Sequence, residues 1–252
     1  MVDTARTETR DLVVVTGGSR GIGAAVCRGL AARGHAVAVN YAGHAEAADA
    51  VVDAVVADGG RARAIAADVA DERQVAALFE EAEAELGGLA GLVNNAGILG
   101  EARPLDEQDA HALERLLAVN VLGPLLCCRA AVRRLSVRHG GQGGAIVNIS
   151  SVAARTGGIY GTVAYAATKG AVESLTRGLA NEVARDGVRV NAVAPGLIAT
   201  DMSPADVDRL AESGVPMGRV GRPEEIAEAV GWLMSPAAGY VTGTTMTVSG
   251  GR

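Results

Sequence analysis

Short runs of Val, Ala, Ile and Leu alternate along the chain with longer stretches in which apolar residues recur every three or four positions. Residues 12–16, LVVVT, are a continuous apolar run of strand length. Residues 21–34, GIGAAVCRGLAARG, carry a helical period that stops at Gly34. The alternation continues with a strand at 36–40, a helix at 44–60, a strand at 63–68, a helix at 71–88 and a strand at 89–97 that runs into a loop. A long helical stretch covers 106–138, and Pro124 inside it predicts a kink or break. Further strands are expected at 145–150, 188–195 and 244–248, with helices at 163–185 and 223–235. Strands separated by helices build βαβ units, and these give a parallel sheet with helices on both faces. The expected fold class is α/β: one doubly wound domain over 11–252 with a seven-stranded parallel sheet, after a polar, frayed tail at 1–10.

Composition sharpens this picture. Hydrophobic residues make up 49% of the 252 positions but aromatics only 2%, so the core must be built from Ala, Val, Leu and Ile. The formal net charge of −6 argues against a nucleic-acid binder, which would present a basic face. Cys27, Cys127 and Cys128 show no ligand-like spacing with one another or with the histidines, so they read as reduced thiols of a cytosolic protein, with no metal site. The adjacent pair Cys127–Cys128 lies in an apolar helical run and reads as inert packing. No apolar h-region opens the chain, and no apolar run reaches the ~20 residues of a membrane span.

The turn TGGSRGIG, residues 16–23, falls between the first strand and the first helix. Gly17 suits a tight turn, while Gly21 and Gly23 let backbone approach a pyrophosphate at a helix N-terminus, where N–H groups and the helix dipole favour anions. Ser19 and Ile22 belong to the same cradle. The strand–turn–helix context points to a dinucleotide. Units that bind NAD usually carry Asp or Glu at the end of the second strand; here Asn40 is read at that position. Arg20 in the loop supplies a cation for a 2′-phosphate, and His44 could add to it. NADP(H) is therefore expected over NAD(H).

Lys169 is the only lysine in a chain that otherwise uses arginine. It lies four residues after Tyr165 on an expected helix, so the two share a face. An ammonium beside a phenol favours the phenolate and is expected to lower its pKa, which suits a general acid/base near neutral pH. A compact ammonium also differs from a guanidinium in shape and hydration, which is a reason to keep a lysine here.

With these residues in hand, the chain resembles the short-chain dehydrogenase/reductase family of the single-domain Rossmann type over about 11–252. The resemblance rests on TGGSRGIG, on Asp68–Val69, on NNAG at 94–97, on Asn120, on NISS at 148–151, on YAATK at 165–169 and on Pro195–Gly196. It is most similar to the 3-oxoacyl-carrier-protein reductase and glucose dehydrogenase branch. The resemblance implies that Tyr165 gives a proton to a carbonyl oxygen as hydride reaches its carbon, that Lys169 holds the nicotinamide ribose, and that Ser151 binds the substrate oxygen. Ser151 is preferred to Ser150 because the small apolar pair Val152–Ala153 follows it. Asn120 would hold a water that passes protons to Lys169. Asp68 and Val69 would meet the adenine, Asn94 the adenosine ribose, and Ala96 and Gly97 the cofactor beside it. Pro195, Gly196, Ile198 and Thr200 would line the nicotinamide end. Asp68 as a helix cap, Asn120 as a kink residue and Thr200 as a loop cap are the plainer alternatives.

Residues 197–217 read as a lid after the sixth strand, offering Met202, Val215 and Met217 to a small or medium carbonyl substrate of moderate apolarity. Tyr160 and Arg155 lie in the loop before the helix of Tyr165. An arginine-rich run at Arg133, Arg134 and Arg138 reads as a solvated helix face rather than a landing patch for a carrier protein. The family pairs its long helices and its last strand across subunits, which implies a homotetramer. The alternative to an enzyme is a non-catalytic NADP(H) sensor or scaffold, which a broken Ser/Tyr/Lys set would favour.

Overall fold

The computed structural model describes residues 11–252 except positions 202, 204 and 205, so the expected tail at 1–10 and Met202 of the lid lie outside the described residues. Seven parallel strands form one sheet: β1 (Leu12–Val15), β2 (Ala36–Tyr41), β3 (Arg61–Ala66), β4 (Leu89–Asn94), β5 (Gly144–Ile149), β6 (Val188–Pro195) and β7 (Thr245–Val248), in the order β3-β2-β1-β4-β5-β6-β7. The helices between them are α1 (Gly21–Ala31), α2 (Ala45–Ala57), α3 (Glu72–Leu86), α4 (Ala110–Leu117), α5 (Gly123–Leu135), α6 (Ala153–Thr156), α7 (Val163–Val183), α8 (Val207–Gly214) and α9 (Pro223–Met234).

Alternation along each strand divides the core in two, because successive side chains point to opposite faces. Leu12 and Val14 join the layer under α3, α5 and α7 with Leu78, Phe79, Cys127 and Leu135. Val13 and Val15 join the other layer with Val26, Leu30, Ile226 and Leu233 of α1 and α9. Among the described residues the single Phe, Phe79, is fully buried, so aliphatic packing does supply most of the core. The order of strands reverses between β1 and β4. Helices leave these neighbours on opposite faces, and a crevice opens at their C-terminal ends, where sheets of this kind bind ligands.

Two expectations need correction. The strand expected at 63–68 sits two residues earlier, paired in register with β2 from Ala36↔Arg61 to Tyr41↔Ala66. The helical stretch expected over 106–138, with a kink or break at Pro124, runs unbroken over 110–135 through a five-residue π-turn, Ala118–Leu122, where the Gly123 N–H bonds to the Ala118 carbonyl five residues back. Pro124 stands just beyond that turn, where its missing N–H falls among carbonyls already shifted out of the ordinary ladder. By length and composition this helix is also long and apolar enough to cross a membrane, although Arg115 and Arg129 bound its apolar run well short of a span. Half of its most apolar stretch is buried, and Leu116, Val119, Leu126, Ala131 and Leu135 are buried along it, so its apolar content is that of a core helix.

Candidate active site

The crevice is a cavity of about 440 Å³ that runs from the Gly-rich turn to the loops after β5 and β6. Its floor is backbone. Gly17 and Gly21 have φ of +61° and +53°, which L side chains rarely adopt. A Cβ on Gly23 would lie 2.1 Å from the Gly17 carbonyl oxygen. Arg20 stands at the N-cap of α1 without a side-chain hydrogen bond, and the first turn carries no acid, so the opening N–H groups of α1 are left to the cleft. A cradle of bare backbone at a helix N-terminus fits a pyrophosphate. Ser19, Ile22, Ala96, Gly97 and Val69 line the same cavity.

Asn95 ties this cradle to β4. Its Nδ2 donates to the carbonyls of Thr16 (3.0 Å) and Gly17 (2.8 Å), while the Asn95 and Ala96 N–H groups donate to the Thr16 hydroxyl, both at 3.0 Å. The side chain of its neighbour Asn94 points away. Asn94 is buried, donates to Asn148 Oδ1 at 2.9 Å and does not line the cavity, so the expected placement of Asn94 in the cleft is corrected: Asn95 lines it instead. Strand alternation separates the two, a signal that was available in the sequence.

Asn40 lines the cavity as expected of a cleft residue, but its reading as the end of β2 is corrected. β2 continues to Tyr41, so Asn40 is not its last residue. The Asn40 side chain is buried and clamps the turn from beneath: Oδ1 accepts from the Gly17 N–H (3.3 Å), and Nδ2 donates to the carbonyls of Ala67 (3.0 Å) and Ile65 (3.3 Å). Tyr41, Ala42, Gly43 and His44 follow it along the cleft with no carboxylate among them. His44, at φ +64°, is the only non-glycine with positive φ among the described residues. Arg20 lies 3.5 Å from Asp201 across the mouth. Asp68 lines the cleft but does not cap α3; Asp71 does, accepting from the N–H groups of Arg73 and Gln74. Burial pulls the Asp68 carboxyl upward, but the Ala70 N–H and the Arg115 guanidinium at 2.8 Å outweigh it and hold it below its usual range.

At the other end the loop after β5 meets α7. Ser150 and Ser151 diverge. The Ser150 hydroxyl is buried against the Lys169 carbonyl and Glu173 Oε1, both at 3.3 Å. Ser151 opens on the cleft and hydrogen-bonds Tyr165. Lys169 is only 5% exposed, its Nζ donates to the Ile149 carbonyl at 2.8 Å, and it sits 5.6 Å from the centre of the Tyr165 ring. Burial pushes Lys169 down to about 8. Burial also pushes Tyr165 up, only partly opposed by the Ser151 hydrogen bond. The expectation that Lys169 lowers the phenol's pKa is therefore corrected: removal from water outweighs it.

Asn120 occupies the π-turn. Its Oδ1 accepts from the Ile98 N–H (2.9 Å), and its Nδ2 donates to the Ile98 carbonyl (2.8 Å) and to the Thr168 hydroxyl (3.2 Å). The Asn120 side chain is thus a clamp between the loop after β4 and α7, and Asn120 does not itself line the cavity. Gly97 lies against it: a Cβ there would come 3.4 Å from Asn120 Oδ1 and 3.6 Å from Lys169 Nζ. Pro195, Gly196, Ile198 and Thr200 line the wall opposite. Within the expected lid, Leu197, Asp201 and Ser203 reach the cavity, whereas Val215 and Met217 do not line it. Tyr160 and Arg155 also lie outside it, and Ile159, which was not anticipated, lines it instead. The arginine-rich run is largely paired, Arg134 with Glu83 at 2.6 Å and Arg138 with Asp186 at 3.2 Å.

A doubly wound parallel sheet with a bare-glycine cradle at its switch point, and a serine, tyrosine and lysine grouped on the facing loop and helix, defines a dinucleotide-binding oxidoreductase fold. Comparison with known proteins names the family. The model described as enoyl-(acyl carrier protein) reductase matches residues 17–252. An uncharacterized oxidoreductase, YgfF, of Escherichia coli strain K12 is 47% identical over 96% of this chain and 99% of its own. Cis-4-hydroxycyclohexanecarboxylate dehydrogenase of Sinomonas cyclohexanicum is 44% identical, covering 95% of each. A solved short-chain dehydrogenase of Burkholderia cenocepacia in complex with NADP superimposes with a TM-score of 0.88 at 39% identity, covering 95% of this chain and 96% of that one. The chain belongs to the short-chain dehydrogenase/reductase family of oxidoreductases.

Proposed function

We propose that the protein is an NADP(H)-dependent oxidoreductase that interconverts a small carbonyl compound and its alcohol. The observation that carries this reading is the convergence of Ser151, Tyr165 and Lys169 on one cavity that also holds the glycine cradle. A bound nicotinamide dinucleotide phosphate supplies or accepts the hydride. Gly17, Ser19, Gly21, Ile22 and Gly23 receive its pyrophosphate, and Asp68, Val69 and Asn95 border its adenosine half. Arg20 and His44 favour a 2′-phosphate, supported by the lack of a carboxylate in the stretch after Asn40 and by the NADP held by the Burkholderia relative.

Tyr165 is the general acid. Burial keeps its phenol protonated at neutral pH, the state needed to give a proton to a carbonyl oxygen. Ser151 steadies that oxygen as negative charge develops on it. Lys169, brought by burial to about 8, is suited to exchanging a proton near neutrality and to holding the nicotinamide ribose. The chain is proposed to act as a cytoplasmic homotetramer, a reading supported by exposed Leu117, Leu122 and Leu125 along α4 and α5 and by exposed Trp232 on α9.

The test is Tyr165→Phe, assayed by NADPH oxidation against ketoesters, diketones, cyclic ketones and aldoses. Turnover should fall about 10²–10⁴-fold with NADPH affinity retained. Turnover near the wild-type level in the variant would refute the assigned role.

A further inference from the structure

Resting on this reading of the cleft, we infer that the substrate carries a carboxylate and that Arg252 receives it. Arg252 lines the cavity although it is the last residue of the sequence given, four positions beyond β7. The fold puts it there. Gly250 and Gly251 have φ of +66° and +96° and turn the backbone after β7. Both glycines lie flush on the segment after α8: a Cβ on Gly250 would come 2.7 Å from Val215 Cγ1, and one on Gly251 3.0 Å from Pro216 Cβ. The Met217 N–H donates to the Gly250 carbonyl at 3.0 Å, and the Ser249 hydroxyl donates to the Arg252 carbonyl at 2.8 Å. A side chain at either glycine would lift this turn off its seat.

The position is at the reacting end. β7 pairs with β6 in parallel up to Pro195↔Val248, so residues 249–252 emerge beside Gly196, whose added Cβ would meet Ser249 Cα at 2.8 Å. The adenosine half of the cleft, with Arg20, His44 and Asp68, lies across the sheet beyond β1. The reacting half is walled by Leu99, Val152, Ala153, Ile159 and Leu197, and the acid on the adjoining segment after β6, Asp201, is paired with Arg20. The other arginines of the cavity have acidic partners, Arg20 with Asp201 and Arg115 with Asp68. Lys169 is buried on the Ile149 carbonyl. Arg252 is exposed and has no carboxylate partner among the described residues. An apolar chamber with one such arginine at its edge suits a compact hydrocarbon body with a single carboxylate, which a guanidinium can bind through two parallel hydrogen bonds.

The experiment is calorimetric titration of the enzyme–NADP⁺ complex with cyclohexanecarboxylate and with the neutral, similarly shaped cyclohexanecarboxamide. The wild type should bind the carboxylate at least about tenfold tighter than the amide. Arg252→Gln should abolish the preference without altering affinity for the amide, and Arg252→Lys should keep part of it. Equal binding of the two ligands by the wild type, no detectable binding of either, or a preference that survives Arg252→Gln would overturn the inference. The readout is independent of turnover. Absence of carbonyl reduction alongside an intact, Arg252-dependent preference would remove the hydride-transfer reading alone.

Discussion

Replacing Asn40 by Asp separates two accounts of how this cleft is built. If Asn40 chose the cofactor, an acid there would hydrogen-bond a ribose and turn the enzyme toward NADH. The structure predicts something else. The Asn40 amide nitrogen faces the carbonyls of Ala67 at 3.0 Å, Ile65 at 3.3 Å and Tyr41 at 3.4 Å, and the residue is 1% exposed. An aspartate would turn an oxygen toward those carbonyls and leave them without their donor. Each unsatisfied buried group costs about 1–3 kcal/mol, and a buried unpaired charge costs more. We expect a loss of roughly 3–5 kcal/mol at pH 7.5, which for a chain of this size lowers Tm by roughly 10 °C.

The loss also has a defined pH dependence. In the folded variant the new carboxyl is pushed toward its neutral form, so its folded pKa lies above its unfolded value of about 3.9. The ionisation part of the penalty is therefore absent below about pH 4 and grows as pH rises through the folded pKa. Thermal melts of both proteins between pH 5 and 8 should show a gap that widens with pH, while the NADPH-to-NADH ratio of the remaining activity changes little. A variant that melts within about 2 °C of wild type at pH 7.5 and prefers NADH would refute the clamp.

Further outcomes follow from the same geometry. Ser151→Ala should lower turnover about 100-fold with Tm nearly unchanged, whereas Ser150→Ala should lower Tm slightly and leave KM and turnover close to wild type, because both serines border the cleft but the Ser150 hydroxyl is engaged with Glu173 and the Lys169 carbonyl; equal kinetic losses would refute the division. Lys169→Arg should abolish most turnover in a folded protein. Lys169→Met should raise Tm at pH 7, since burial of the ionised ammonium costs on the order of 3 kcal/mol there. A lysine with a depressed folded pKa gains stability as pH rises from about 8 toward 10.5, so that difference in Tm should narrow over this range, and melts at stepped pH read it directly.

The apolar patterning was enough to reach the sheet. β1, β2, β5 and β6 are buried on both faces, and such strands appear as continuous Val/Ala/Ile runs that need no knowledge of their neighbours. The cradle was legible for a related reason: its chemistry is backbone, and glycine is the residue that exposes backbone. β3 was misplaced because it is an edge strand. Arg61 and Arg63 face solvent, so its opening looks like a turn, while Ala67, just beyond its end, looks like strand. Only the end of β2 at Tyr41 decides where it stops.

The remaining corrections share one physical origin, which is that the functional state of a polar residue depends on partners far away in the chain. Asn120 lies in the π-turn, and its amide bridges Ile98 and Thr168, residues 22 and 48 positions away. Local propensity around Pro124 cannot reveal that. Asn40 matches the position of a cofactor selector by count along the strand, yet residues 25 and 27 positions away claim its amide. Tyr165 and Lys169 are four apart on one helix, and in water the ammonium would draw the phenol's pKa down. In the fold both groups are withdrawn from water, which favours the neutral form of each. Desolvation then moves the phenol up and the ammonium down. Sequence spacing brings the two together, and burial sets the direction in which each is shifted.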